Sequence, residues 1–300
     1  MSAPPPPAEL PLSQAHTLLT TFSTFLTISL HNILYYRSLY PATTFLSSRA
    51  YNLPVHQNRH PKVCEWVTSA ISAVSAQLAL GTVSRVAIVI HAPLHSSDKG
   101  TQDERLKSVP AGAVLERYVF DVSRFPSWPG GPDAMRDYGN SLRRQDEEED
   151  DVLRGNRFAP AAPDEEDEEQ AERERDRERK KKREGKINWT DVDEQFRGVL
   201  SRMASAAEKM EPLPDGCGFT VAVELRDESR APIGHPQPWV PSEPNLQPPG
   251  GTDLGGAKTI PVRSVEAGPL FFECWVEEGK AKDMLKDGTH TQQTQQSSMS

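Results

Sequence analysis

Cysteine is scarce in this chain: Cys64, Cys217 and Cys274 are the only ones in 300 residues. An odd, widely spaced set argues against a disulfide framework and fits a reducing compartment. There is no CxxC spacing, no glycine-rich loop between a strand and a helix, and no GxSxG. These absences exclude the commoner zinc, phosphate-binding and serine-hydrolase motifs. No run of eighteen apolar residues occurs, so the sequence predicts no membrane span. The opening MSAPPPPAELPLSQ lacks the basic and apolar regions of a secretory signal. Nor is there an excess of basic residues. The formal charge is -9, which disfavours direct gripping of nucleic acid through phosphates.

What is abundant is charge in one place. The 43 residues from Arg144 to Lys186 hold 17 acidic and 12 basic side chains. Such a composition buries too little apolar surface to offset chain entropy. The chain from about 123 to 187 therefore reads as a charged, disordered insertion looped out of a folded domain. The Pro-rich residues 1–12 and the Gln/Ser/Thr-rich residues 280–300 read as disordered tails. Residues 13–279 form the domain between them.

Within it, Leu19, Phe22, Leu26, Leu30 and Ile33 step at helical spacing, and Phe25, Ile28 and Leu34 widen that stripe. A helix apolar over so much of its circumference belongs in a core. Pro41 ends it near Tyr40. Pro61 opens a second helix carrying Val63, Val67, Ile71, Val74 and Leu78, with Gly81 as its stop. A third begins near Ile187 with Thr190 as N-cap and Val192, Phe196, Val199, Leu200 and Met203 on one face. Strands are predicted over 85–91, 116–122, 217–225, 259–263 and 270–278. Helices on one face of a mostly antiparallel sheet, an α+β class, follow from this order. A Pro/Gly-loaded stretch from Arg226 to Lys258, bracketed by strands, must cross the domain. Loops of that length are functional or disordered, and the crossing makes this one a candidate moving or clasping segment.

No catalytic constellation emerges. His56 and His60 stand four apart in one loop, but no carboxylate or cysteine completes a metal set. A loop-stabilising or helix-entry role suits them better. Cys217 beside a turn lacks a histidine partner and reads as a small buried hydrophobe. No cofactor and no metal are expected.

A family resemblance is carried by several pieces in order. These are NILYYRSLYP (32–41), TFLSSRAYNLPV (44–55), His60-Pro61 and ERYVFDV (116–122). PDGCGFTVAVELRDES, Pro238-Trp239 and IPVRSVEAGPLFFECWVEE complete the set. Together they resemble the HORMA domain family, and within it the branch of accessory subunits of DNA polymerase zeta. The resemblance covers roughly 13–122 and 188–279; the charged insertion has no counterpart.

It implies three helices packed on a mostly antiparallel sheet, with a C-terminal safety belt over about 226–279 that wraps a partner's peptide. It further implies a non-catalytic adaptor in translesion DNA synthesis in the nucleus, with no direct nucleic-acid or membrane contact. The expected ligand is a Pro-containing peptide of the polymerase zeta catalytic subunit, packed on Tyr51 and Trp239. A second expected partner is a Rev-one type translesion polymerase, bound at Thr259, Glu273 and Trp275. The family pattern has an aliphatic residue and a tyrosine where Thr259 and Trp275 stand. Arg197 matches the position used in HORMA–HORMA dimerisation. The runner-up reading is a HORMA protein of the mitotic spindle assembly checkpoint.

Overall fold

The computed structural model describes residues 10–94, 105–106, 109–155, 187–226 and 258–285. Helix α1 (Leu12–Tyr36) runs through the centre of the core. Its Phe25 stacks on Phe196 of α4 (Trp189–Lys209), with ring centroids 4.3 Å apart. Phe22 meets Phe272 edge-on at 5.3 Å. Each ring buried this way contributes about 2–3 kcal/mol by removal from water. By length and hydropathy alone α1 would pass for a membrane-spanning helix. Its buried face instead packs inside the domain, as the continuous apolar stripe dictates.

The helix ends at Tyr36 rather than near Tyr40. Ser38 adopts a left-handed conformation (φ 53°). Its N–H donates to the Tyr35 carbonyl, and that of Leu39 donates to Leu34. This is a Schellman-type stop, with serine where glycine is usual. A hairpin of β1 (Phe45–Ala50) and β2 (Leu53–Asn58) follows, closed by Tyr51 and Asn52, both at positive φ. The pattern reading gave no strands here, because β1 is exposed along most of its length and lacks alternation. Helix α2 (Pro61–Ala79) starts with Pro61 in its first turn.

The main sheet holds β3 (Val83–His91), β4 (Val114–Asp121), β5 (Gly218–Leu225), β6 (Lys258–Ala267) and β7 (Leu270–Glu278). Its order is β5-β3-β4-β7-β6, every neighbour antiparallel. Val86, Ile88, Ile90, Tyr118, Phe120, Phe272 and Val276 face the helices and are buried. Strand β6 is held to α4 by Arg263, whose guanidinium donates to the Gln195 side chain. Gly198 leaves room for that guanidinium, since a Cβ there would lie 2.7 Å from Arg263 Nη1.

Three boundaries differ from the sequence expectation. First, the chain stays packed beyond residue 123. Phe125, Trp128 and Met135 are buried, and α3 spans Gly131–Gly155. His16 of α1 and Tyr138 of α3 meet edge-on. Sparse apolar residues ahead of a charged run sufficed to dock the start of the helix. Residues 156–186 lie outside the described residues. Second, Leu10 is packed: its side chain is buried and its N–H donates to the Ser127 carbonyl. Third, 280–285 form a helical turn and Lys282 is buried. A lysine followed by polar residues looks like a fraying tail until its buried acidic partners are known. The N-cap of α4 is Asn188, accepting from the Asp191 N–H, and Thr190 lies inside the helix.

Candidate functional site

Among the described residues, β5 has a hydrogen-bonded neighbour on one side only, β3. Its outer edge presents the alternating N–H and C=O groups that an added strand can pair with. Beside this edge stands an aromatic wall. Phe219 of β5 meets Trp66 of α2 edge-on at 4.9 Å, and Tyr40, from the turn after α1, at 6.4 Å. Trp66 is 42% exposed, although tryptophan is usually largely buried. The edge can therefore offer backbone pairing and apolar side-chain contact to one extended segment. Trp66 escaped the sequence reading because it lies off the Val63–Val67–Ile71 stripe. A large aromatic on the polar face of an amphipathic helix was the available signal.

The two ends of the sheet are joined by the segment that the sequence singled out. Strand β5 ends at Leu225 on one edge, and β6 begins at Lys258 on the other. Five strands are separated by four steps of about 4.8 Å, so a direct crossing needs roughly 19 Å. The intervening residues 227–257 lie outside the described residues. Fully extended, a chain of that length reaches at most about 100 Å. The connection is long enough to pass over the sheet together with a guest strand.

Its far anchor is locked electrostatically. Arg37 donates to both oxygens of Glu116 on β4, from Nη2 at 2.6 Å and from Nε at 2.8 Å. Arg37 also donates to the carbonyls of Ala207 and Glu211. Lys282 donates to Glu116 and to Glu278. Arg37 and Glu116 are buried, as is Lys282, so their charges are compensated within the protein. Burial alone would raise the Glu278 carboxyl, but the Lys282 ammonium and its hydrogen bond hold it below its ordinary value. Burial and the neighbouring Glu116 charge push the Tyr118 hydroxyl well up. Gly279 packs against the β4 backbone so closely that a Cβ would lie 2.5 Å from the Val114 carbonyl oxygen.

The residues singled out from sequence fall in several places. Tyr51 sits in the β1–β2 turn and packs edge-on against Phe196 of α4 at 5.7 Å, not among the aromatic rings beside β5. Burial, then the Asp193 charge, pushes its hydroxyl up to about 12. Trp239 lies outside the described residues. Thr259, Glu273 and Trp275 share the face of the β6–β7 hairpin that points away from the helices. Thr259 and Glu273 are exposed there, while Trp275 is half-buried and donates to Glu277. Arg197 is partly exposed on α4 and pairs with Glu194 at 3.6 Å. His56 stacks on Tyr35 at 3.5 Å, and His60 is the residue preceding α2. Cys217 is half-buried, and burial pushes its thiol up to about 12. Among the described residues no group of three or more His, Cys, Asp or Glu side chains is placed to hold a metal.

Comparison with known proteins agrees with this geometry. The model of the family described as "HORMA domain" matches residues 19–245. The DNA polymerase zeta processivity subunit of Schizosaccharomyces pombe is 26% identical over 85% of this chain and 90% of its own length. The bovine mitotic spindle assembly checkpoint protein MAD2B is 26% identical over 40% of this chain and 49% of its own. A chain in a crystal structure of the mitotic checkpoint complex superposes with TM-score 0.51. It shares 16% identity and covers 87% of this chain and 98% of that one. The likeness extends to the fold, α+β with a mostly antiparallel sheet.

Proposed function

Because the chain belongs to the HORMA domain family, we propose that it is a non-catalytic adaptor subunit of a translesion DNA polymerase of the zeta type. It acts by trapping a Pro-containing peptide of the catalytic subunit along β5, beneath the segment joining β5 to β6. One observation carries this reading. An open strand edge lined by Trp66, Phe219 and Tyr40 lies opposite the edge where that segment is anchored. Similarity to a DNA polymerase zeta processivity subunit over nearly its whole length supports the choice of partner.

In this reading the peptide adds a strand to β5 by backbone hydrogen bonds, while its prolines lie against aromatic faces. Trp66 and Phe219 form that surface at the edge, and the family resemblance adds Trp239 of the strap and Tyr51 of the β1–β2 turn as further proline contacts. The outward face at Thr259, Glu273 and Trp275 engages a second translesion polymerase of the Rev-one type. Arg197 on the exposed face of α4 serves pairing with a second HORMA domain. The protein works in the nucleus, in DNA damage tolerance.

The test is affinity purification of the tagged chain followed by identification of what co-elutes. Recovery of a polymerase zeta catalytic subunit in stoichiometric amount is expected. Recovery of spindle-checkpoint proteins without any polymerase subunit would replace this reading with the checkpoint one.

A further inference from the structure

The ladder between β4 and β7 ends at Asp121↔Glu273, although β7 begins three residues earlier, at Leu270. Over Leu270–Phe272 the pairing among the described residues is to Val265–Ala267 of β6 alone. The tip of this hairpin thus lacks the backbone hold that the rest of β7 has. A strand end so placed is the first part of a sheet to open.

The chain leaving β4 supplies that hold with side chains instead. The Arg124 guanidinium lies over the Phe271 ring, 3.8 Å from its centroid. Phe271 precedes Glu273 by two residues and so shares its outward face. Phe125 turns to the helix side, where it is buried and packs on Phe22 at 5.2 Å. Phe272 meets the same Phe22 ring at 5.3 Å. Consecutive residues 124 and 125 therefore grip consecutive residues 271 and 272 from the two faces of the sheet.

This grip is braced on both sides. The Phe125 N–H donates to the Val122 carbonyl, closing a turn directly after β4. The Ser127 carbonyl accepts from the Leu10 N–H, ahead of α1. The Trp128 indole donates to the Gly131 carbonyl, where α3 begins, and Met135 of α3 is buried. A turn fixed in this way orders the Arg124 backbone in advance, so less freedom is lost when the cation meets the ring. The opposite end of the hairpin is held by Lys282 on Glu116. Two separate holds thus secure the far anchor of the segment that crosses from β5.

We propose that Arg124 and Phe125 form a clasp on the tip of the β6–β7 hairpin that slows release of a trapped peptide. Its effect on release rests on the peptide-trapping reading; its effect on the hairpin does not.

The experiment compares the full wild-type chain with Arg124→Gln, Phe271→Leu and the double variant. Arg124 is exposed, so its replacement should leave the melting temperature unaltered. In the peptide-free protein, Arg124→Gln should quicken hydrogen exchange at 271–274 about two- to fivefold, with 276–278 unchanged. The release probe is a fluorescent peptide spanning the Pro-containing segment of a polymerase zeta catalytic subunit, chased with unlabelled peptide. Its release should quicken by the same factor while its capture rate stays the same. Adding Arg124→Gln to Phe271→Leu should change nothing further, because the contact is already lost. Unchanged exchange at the tip, or a further increase in the double variant, overturns the clasp. Faster exchange with unchanged release overturns its role in retention. A wild type that binds no such peptide overturns the trapping reading, and the exchange rates then still decide the clasp.

Discussion

Lys282 and Arg37 share a single carboxylate: both donate to Glu116 Oε1, one from the turn after β7 and the other from the end of α1. The first helix of the domain is thereby joined to its last described turn. Removing one partner of a buried ionic group leaves an uncompensated charge, whose cost exceeds the net worth of the pair. Lys282→Met keeps the apolar stem and removes the ammonium. Urea unfolding should show a loss of roughly 3–5 kcal/mol. Hydrogen exchange should rise first in β7. An unchanged midpoint and unchanged protection would mean that the network contributes nothing to closure.

This cluster and the separate Arg85–Asp121 pair give stability a direction with pH. The Glu278 and Asp121 carboxyls are both held below their ordinary values. Burial opposes this in each case; Lys282 outweighs it at Glu278, and the Ser123 and Arg85 hydrogen bonds outweigh it at Asp121. A depressed carboxylate stabilises the fold above its unfolded pKa, and that stabilisation is lost as pH falls through the folded value. Melting temperature should therefore stay level from neutrality to about pH 5 and drop below the ordinary carboxylate range near 4. Glu278→Gln should lower the plateau and make the acid limb shallower. An acid limb unchanged in this variant would assign the drop to other carboxylates.

Trp66 and Tyr51 separate in what their loss should do. Trp66 is exposed beside an open edge, so Trp66→Ala should weaken peptide binding tenfold or more, at about 1.4 kcal/mol per tenfold, with little change in melting temperature. Tyr51 packs on Phe196 of the core, so Tyr51→Ala should lower the melting temperature and affect affinity less. Isothermal titration together with thermal melts of both variants decides this. The reverse ranking would return the principal aromatic contact to Tyr51.

The densely charged run begins at about residue 145, after Met135 and Tyr138. Replacing 145–185 with a Gly/Ser linker should leave the melting temperature nearly unchanged. A deletion that starts at 130 removes Met135 and Tyr138 from α1 and should lower it by several degrees. Met135→Ala alone should cost about 2 kcal/mol or more. Equal melting temperatures for the two deletions would show that α3 adds nothing to the core.

Gly279→Ala offers an independent route to the Lys282 phenotype. A Cβ there meets the rigid Val114 carbonyl, so the turn carrying Lys282 must shift. Faster release of bound peptide, measured by competition, is expected in both variants. A slow release rate in Gly279→Ala despite a lowered melting temperature would separate turn docking from retention.

Much of this fold was legible in the residues. The stripe from Leu19 to Ile33 specified a central helix, and β-branched runs specified β3, β4, β5 and β7, because both signals are local. What pairs across the chain was not. Glu116 and Lys282 are 166 residues apart. Neither carries any mark of burial, because charged residues read as surface until their partners are known. The β1–β2 hairpin was missed since its turn uses Tyr51 and Asn52 rather than glycine. Trp66 was passed over as a helix residue because its role depends on a strand more than 150 positions away. The outward face at Thr259, Glu273 and Trp275 follows from strand alternation once the β6–β7 register is known.

The strand order bears on time as well as affinity. Hairpin β6–β7 holds to the sheet through the register from Glu116↔Glu278 to Asp121↔Glu273. It also rests on the burial of Phe272, Cys274 and Val276. In the proposed arrangement, a guest strand on β5 beneath the crossing segment would leave only after that hairpin, or the segment itself, lets go. Residence time would then be a property of the host sheet, shared by ligands whose own contacts differ. Sequence preference among them would be expressed mainly in how fast they are captured, the opposite of the usual rule for related complexes.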